Sequence, residues 1–244
     1  MLPWALSLTL LGADTSLAGV AARQFEEARL VQHRAPEDPV AAWQFARAAF
    51  DWAEFATNDT QRAAIAAEGI RVSRQLVRAH PDLAAGRYYL AMNLGQMART
   101  KSLGALPLVS EMEQLFQGVR TLDPQFDSAG ADRCLGLLYR DAPGWPVSVG
   151  SKSKARRHLR AAMALSPDYP ENRLNLLESL LQWGELDEFK TVWPGTPELI
   201  DQARKRLTGP RWEASWADWN PRWTNLLTRA TGRIAARAGE TNPR

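Results

Sequence analysis

Apolar residues recur along this chain with the period of an α-helix. From Gln61 to His80, the positions Ala64, Ile65, Ala67, Ile70, Val72, Leu76 and Val77 fall mostly on one stripe. Between Ser151 and Leu165, Ala155, Leu159, Ala162, Met163 and Leu165 repeat the pattern. Runs rich in Val, Ile and Thr with alternating polarity, the mark of half-buried strands, are missing. The pattern predicts an all-α chain.

Most of the helical stretches stop in the same way. "VRAHPDL", "RTLDPQF", "MALSPDY" and "RLTGPRW" place Pro81, Pro124, Pro167 and Pro210 at intervals of 43 residues, and counting back once more reaches Asp38 beside Pro39. Proline disfavours helix in the residue before it, so each site reads as a stop. A fixed period with such stops predicts an α-solenoid of stacked helix pairs, with units at 38–80, 81–123, 124–166 and 167–209. The period exceeds the ~34 residues of tetratricopeptide (TPR) repeats, so the expected architecture is TPR-like with longer helices or an added loop. The turns within the units fall at "TNDTQ", "KSLGALP", "DAPGWPVSVGSKS", and near "WGELDE" and "WPGTP". A short helix over Leu17–Arg34 precedes the units, and a Trp-rich cap over 210–238 follows. Within that cap, Asn220 and Pro221 read as the N-cap and first turn of a last helix, whose apolar face is Trp223, Leu226, Leu227, Ala230 and Ile234.

Charge and composition narrow the function classes. Net charge is +3 over 244 residues, and Lys and Arg are spread along the chain without a basic block, which argues against nucleic acid. A single cysteine excludes an internal disulfide and a cysteine-based zinc cluster. The N-terminal "MLPWALSLTLLGADTSLAG" has an apolar stretch from Leu2 to Leu11 and a small-x-small run at Ser16-Leu17-Ala18. Residues 1–18 therefore read as a secretory signal, or as an unprocessed hydrophobic helix, since no Lys or Arg precedes the stretch. The stretch is shorter than the ~20 residues of a membrane span, and no later segment is long enough for one in the mature chain.

Candidate chemistry is sparse. Cys134 lacks a nearby base, because His33, His80 and His158 are all distant in sequence, and it shares a helical side with apolar neighbours. It reads as a packing residue. No two histidines share an i, i+4 face, so no metal site and no cofactor is expected, and Glu26-Glu27 and Glu111/Glu113 read as solvated faces. Arg133, beside Asp132 near a helix start, reads either as half of a salt bridge fixing a joint or as a cation that meets a carboxylate ligand. The first helix of the second unit carries Tyr88, Tyr89, Asn93 and Met97, with Tyr89, Asn93 and Gln96 forming a polar-tipped stripe. Groove residues or an ordinary packed helix would both look so. Trp145 sits in a long turn expected at the rim of a binding surface. Trp212, Trp216, Trp219 and Trp223 follow i, i+4, i+7 and i+11, a stripe that Pro221 should kink or break. They read as a cap on the last unit or as a partner surface.

Between Ala84 and Gln182 the chain resembles a known family. The residues that carry the likeness are Asn93-Leu94-Gly95 in an aromatic-rich helix, Leu122-Asp123-Pro124, the run "GADRCLGLLY", Ala142-Pro143 before a Gly/Pro loop, and "KARRHLRAAMALSPDYPENRLNLLE". They resemble the TatT component family associated with TRAP transporters, whose members are bacterial helical-repeat proteins related to TPR proteins. The resemblance implies an exported, periplasmic, non-enzymatic scaffold. It implies association with a periplasmic solute-binding protein, a trimer, and a lumen for an apolar or organic-acid ligand. This chain departs from the family in lacking a lipobox cysteine, and the Trp-rich C-terminus has no counterpart. A general TPR adaptor, cytoplasmic rather than exported, is the alternative, and an all-helical hydrolase a remote one.

Overall fold

The computed structural model describes residues 15–101 and 104–240, with side chains as far as residue 229. The apolar N-terminal stretch from Leu2 to Leu11 lies outside the described residues, as do the side chains of Ala230 and Ile234. Ser16, expected at a cleavage site, is the N-cap of the first helix and accepts from the Gly19 amide at 3.0 Å.

The described chain is an all-α solenoid. Its helices are α1 (Leu17–Arg34), α2 (Pro39–Glu54), α3 (Asp59–Ala79), α4 (Ala84–Arg99), α5 (Leu106–Leu122), α6 (Phe126–Asp141), α7 (Lys152–Leu165), α8 (Pro170–Trp183), α9 (Leu186–Val192), α10 (Thr196–Arg206) and α11 (Glu213–Glu240). Each helix packs on its predecessor from α1 to α9, and α2 also packs on α4, α4 on α6, and α6 on α8. No comparable packing joins α3 to α5 or α5 to α7 among the described residues. The helices α2, α4, α6 and α8 therefore form the inner layer, and α3, α5 and α7 splay apart on the outside.

Proline sets the joints. The residues His80 (φ −133°, ψ 70°), Asp123 (φ −151°, ψ 93°) and Ser166 (φ −137°, ψ 73°) close α3, α5 and α7 in extended or bridging backbone, each directly before a proline. Their amides still bond back to the carbonyls four residues earlier, at 2.8, 2.8 and 3.0 Å. The first stop differs from the sequence expectation. It is Ala35 before Pro36 (φ −132°, ψ 67°), whereas Asp38 opens α2, its carboxylate accepting from the Val40 amide at 2.9 Å with Pro39 at the first turn.

Two further expectations change. The second helix of the fourth unit is divided into α9 and α10 by Trp193-Pro194-Gly195, where Gly195 has φ +77°. Asn220 and Pro221 do not start a helix. They lie inside α11, which runs without interruption from Glu213. Asn220 instead accepts from Arg204 at 2.7 Å. An interior proline removes one ladder bond; packing of Trp219 and Leu226 into the apolar cluster beneath α11 offsets that loss.

The core is continuous along the stack. Phe25, Phe45, Ile65 and Leu76 fill the first joint; Tyr88, Leu94, Phe116 and Tyr139 fill the middle; Leu159, Leu174, Phe189 and Trp219 fill the last. Trp43 and Leu83 touch both the first and second clusters, and Trp183 touches the second and third, so the clusters run into one another.

Candidate functional site

The site is built around a reversed turn at the start of α6. Asp127, Ser128 and Ala129 have φ of 51°, 55° and 63°, three successive residues in left-handed backbone with no glycine among them. Such backbone costs an L-residue about 1–2 kcal/mol each, so the turn persists only if its surroundings hold it. They do. Arg133 Nη1 donates to the carbonyls of Asp127 and Ser128, each at 3.2 Å, and Nη2 donates to the Asp127 carboxylate at 2.7 Å. The Asn172 amide, at the start of α8, donates to Ser128 O at 3.0 Å, to Ala162 O at 3.1 Å and to Ser166 O at 3.3 Å. From the other side, Tyr88 of α4 donates its hydroxyl to Asp127 at 2.6 Å. The fit leaves no room at Gly130, where a Cβ would stand 2.5 Å from the Tyr88 oxygen.

Arg133 thus ties together three consecutive units. It also lies 3.6 Å from Glu171 and 5.1 Å from the centroid of the Tyr169 ring, and its side chain is only 5% exposed. Burial opposes its charge, but Glu171, Tyr88 and Asp127 hold the guanidinium well above its ordinary pKa. Asp132 does not pair with Arg133. It accepts from Arg120 of α5 at 2.9 Å and from His158 of α7 at 2.6 Å, locking a second joint. Burial alone would raise its pKa, yet these hydrogen bonds keep the carboxyl below the usual range. Cys134 faces Met92 Sδ at 3.6 Å and the Tyr88 hydroxyl at 3.8 Å, and burial pushes the thiol up to about 12. At neutral pH it is a protonated packing group.

Beside this joint, aromatic and charged side chains of α2, α4 and α6 gather on the inner layer. Trp43 of α2 stacks on Tyr89 of α4 with centroids 5.9 Å apart and planes within 9°, and Phe126 meets Tyr89 edge-on at 6.2 Å. Beside this aromatic floor, Arg47 and Asp51 of α2 face each other at 3.6 Å, with side chains 55% and 43% exposed. Asp51 is nonetheless pushed up to about 6, first by burial, with Asp127 and Glu54 adding to it and Arg47 opposing. Asp51 is thus half exposed by area, while charges from α2 and α6 lie close enough to oppose its ionisation. Arg47 feels Tyr89, Asp51, Asp127 and Tyr169 together, so charged and phenolic groups of α2, α4, α6 and the turn before α8 lie within electrostatic reach of one another. Such an arrangement can seat a chain segment, with rings for its apolar side chains and charges of both signs for its polar ones.

The residues expected at the site divide. Tyr89 is buried, but it lies directly beneath half-buried Trp43 of α2, with which it stacks. Tyr88, Asn93 and Arg133 do not reach the open surface, because each is buried among partners of its own chain. Asn93 Nδ2 donates to Ala46 O and Tyr89 O, both at 2.8 Å, fastening α4 to α2. Trp145 is the opposite case, 88% exposed at the tip of the α6–α7 loop beside exposed Val147. Trp212, Trp216, Trp219 and Trp223 pack on their own chain. Trp219 is buried, meets Trp216 at 5.0 Å and Tyr169 at 5.4 Å, and Trp223 stacks on Trp193 at 5.4 Å. Sequence reasoning missed Trp43, Arg47, Asp51, Asp127 and Glu171. The i, i+4 spacing of Arg47 and Asp51 was the available signal, and it is shared by many ordinary surface pairs.

Among the described residues no group of three His, Cys, Asp or Glu side chains could hold a metal, and no helix is long and apolar enough to cross a membrane. No protein-family model matches the chain, and no curated protein matches it. A crystal structure of a thermophilic TPR protein from Thermus thermophilus is similar, with a TM-score of 0.63 at 20% identity, over 86% of this chain and 92% of that one. With the helix-pair stack described above, this likeness establishes the fold as that of a TPR-like helical-repeat protein.

Proposed function

We propose that this protein is a non-enzymatic scaffold that seats a segment of a partner protein in the inner recess between α2, α4, α6 and α8. The supporting observation is the cluster on the inner layer: Trp43 stacks on buried Tyr89, and Arg47, Asp51 and Asp127 offer half-exposed charge beside them. Tyr88, Asn93 and Arg133 shape the recess from behind, and Trp145 offers a second contact at the edge. The finer reading rests on the likeness of residues 84–182 to the TatT family. On that basis the protein is an exported, periplasmic accessory of a TRAP-type transport system, trimeric, with a solute-binding protein as partner and an organic-acid or apolar ligand on the inner surface. The double variant Arg47→Glu/Asp51→Lys, made at two half-exposed positions, tests the scaffold reading. It should keep the wild-type thermal midpoint and lose capture of the TRAP solute-binding protein. Capture that survives the double variant refutes a role for the inner recess. N-terminal sequencing after expression in a Gram-negative host tests export: a start at Gly19 with periplasmic recovery is expected, and an intact Met1 in the cytosol refutes it.

A second reading is a general TPR adaptor with no transport role. It is favoured by the extent of the likenesses, since the fold likeness covers 86% of the chain, whereas the TatT resemblance is confined to residues 84–182. Failure to capture a solute-binding protein, with other peptides still bound in the recess, selects this reading.

A further inference from the structure

The outer layer carries a feature that the inner recess does not use. Because α3 and α5 each pack on α4 and, among the described residues, make no comparable packing with each other, a cleft of about 470 Å³ opens between them. Its floor is apolar, made by Ile70, Leu94, Met97 and Leu108. One wall is a stripe of α3 from Ala67 to Arg78, about 17 Å or three turns long at the rise of an α-helix. Arg71, Arg74 and Arg78 stand along that wall.

These arginines differ from the cations at the outer joint between α7 and α9, further along the stack. There, Lys152 meets Glu185 at 2.6 Å, Arg156 meets Glu185, and Arg160 meets Glu188 at 2.7 Å, so each cation facing the gap finds a carboxylate from the next unit. Between α3 and α5, among the described residues, only Arg74 is matched, by Glu111 at 3.1 Å. Arg71 reaches no more than Gln75 Oε1, at 3.4 Å, and Arg78 has no hydrogen bond or ion pair among the described residues. Two exposed guanidiniums seven residues apart, about 10 Å along α3, flank an apolar floor without their counter-charges.

We propose that this outer cleft is a second docking site, which takes an acidic amphipathic helix from a partner protein. Carboxylates seven residues apart on a helix laid along α3 repeat at the spacing of Arg71 and Arg78. The apolar side chains between them face Ile70, Met97 and Leu108. The floor is small, so charge leads the recognition, and binding weakens as salt screens it. The inference is independent of the inner-recess reading, because the two sites share no side chain.

The test uses a fluorescein-labelled helical peptide of about 16 residues, with leucines on one face and glutamates seven apart, read by fluorescence anisotropy against the full chain. A scrambled peptide of identical composition is the control. The amphipathic peptide should bind several-fold tighter than the scrambled one and weaken severalfold between about 50 and 300 mM NaCl. Arg71→Glu/Arg78→Glu should reduce binding at least tenfold, and Arg71→Lys/Arg78→Lys should retain most of it. Arg47→Glu, in the inner recess, should leave it unchanged. If the glutamate pair fails to fold, Arg71→Gln/Arg78→Gln makes the same comparison. Equal binding of the scrambled peptide, no loss in the charge variants, or an equal loss with Arg47→Glu overturns the proposal. So does an Arg71/Arg78-dependent sedimentation with phosphatidylglycerol vesicles in place of peptide binding.

Discussion

Replacing Ser128 with glycine should stabilise this protein, although Ser128 lies within a helical segment. Ser128 has φ 55° and ψ 51°. The crowding of Cβ against the following carbonyl costs an L-residue about 1–2 kcal/mol there, and glycine has no such penalty. Against this stands the greater freedom of glycine in the unfolded chain, about 0.5–1 kcal/mol. Ser128 uses its carbonyl, not its hydroxyl, to meet Arg133 and Asn172, so no side-chain bond is forfeited. The net expectation is a gain of roughly 0.5–1 kcal/mol, which raises the thermal midpoint by about 1–4 °C for a chain of this length. The comparison is Ala64→Gly on the exposed face of α3, in ordinary right-handed helix, where a loss of about 1 kcal/mol is expected. Differential scanning calorimetry of the two variants and wild type gives the signs directly. A midpoint that falls for Ser128→Gly as it does for Ala64→Gly refutes the left-handed turn, and with it the role assigned to Arg133.

Other expectations follow from the same contacts. Asn172→Ala removes the amide that serves Ser128, Ala162 and Ser166, and should lower stability by about 2–3 kcal/mol in urea unfolding. A loss below about half a kcal/mol would mean that Asn172 does not hold the joint. Trp219→Ala empties a fully buried site, and should cost about 3–5 kcal/mol while leaving inner-recess binding unchanged. Asp51 is raised to about 6 in the folded chain, so the native state binds its proton more tightly than the unfolded one. Its contribution to stability is therefore present at low pH and declines as pH rises from about 4 to 6. Asp51→Asn should have a higher thermal midpoint than wild type at about pH 7, and the difference should shrink toward about pH 4. A difference that grows on acidification contradicts the raised pKa of Asp51.

How much of this was legible in the sequence depends on how local each cause is. The stops at Pro81, Pro124 and Pro167 were legible because proline constrains the residue before it whatever the tertiary context. The first joint was harder, since Pro36 and Pro39 both lie there. Only the Asp38 side chain, capping the Val40 amide, shows which of them ends a helix and which begins one. Pro221 reads as a start by the same logic, yet the packing of Trp219 and Leu226 overrides it. The left-handed turn left no sequence mark, because Asp127-Ser128-Ala129 contains no glycine. It is imposed by Tyr88 and Asn172, 39 and 44 residues away from the residues they hold. Arg133 stands out in the sequence as a charged joint residue, but its burial comes from Glu171 and Asn172 on the next unit, which spacing could not reveal. The inner recess was hidden for a related reason. Arg47 and Asp51 are an ordinary pair on an alanine-rich helix until the fold brings Tyr89, Asp127 and Tyr169 within electrostatic reach of them.

The most direct test concerns where a bound segment lies. Peptides selected by display against the intact protein should be measured by fluorescence anisotropy against wild type, Arg47→Glu/Asp51→Lys and Trp43→Ala. Binding through the inner face predicts peptides whose affinity falls at least tenfold in both recess variants, while the thermal midpoint of Arg47→Glu/Asp51→Lys stays within a few degrees of wild type. Peptides that bind the recess variants as tightly as wild type would contradict the claim that this solenoid works through its inner face.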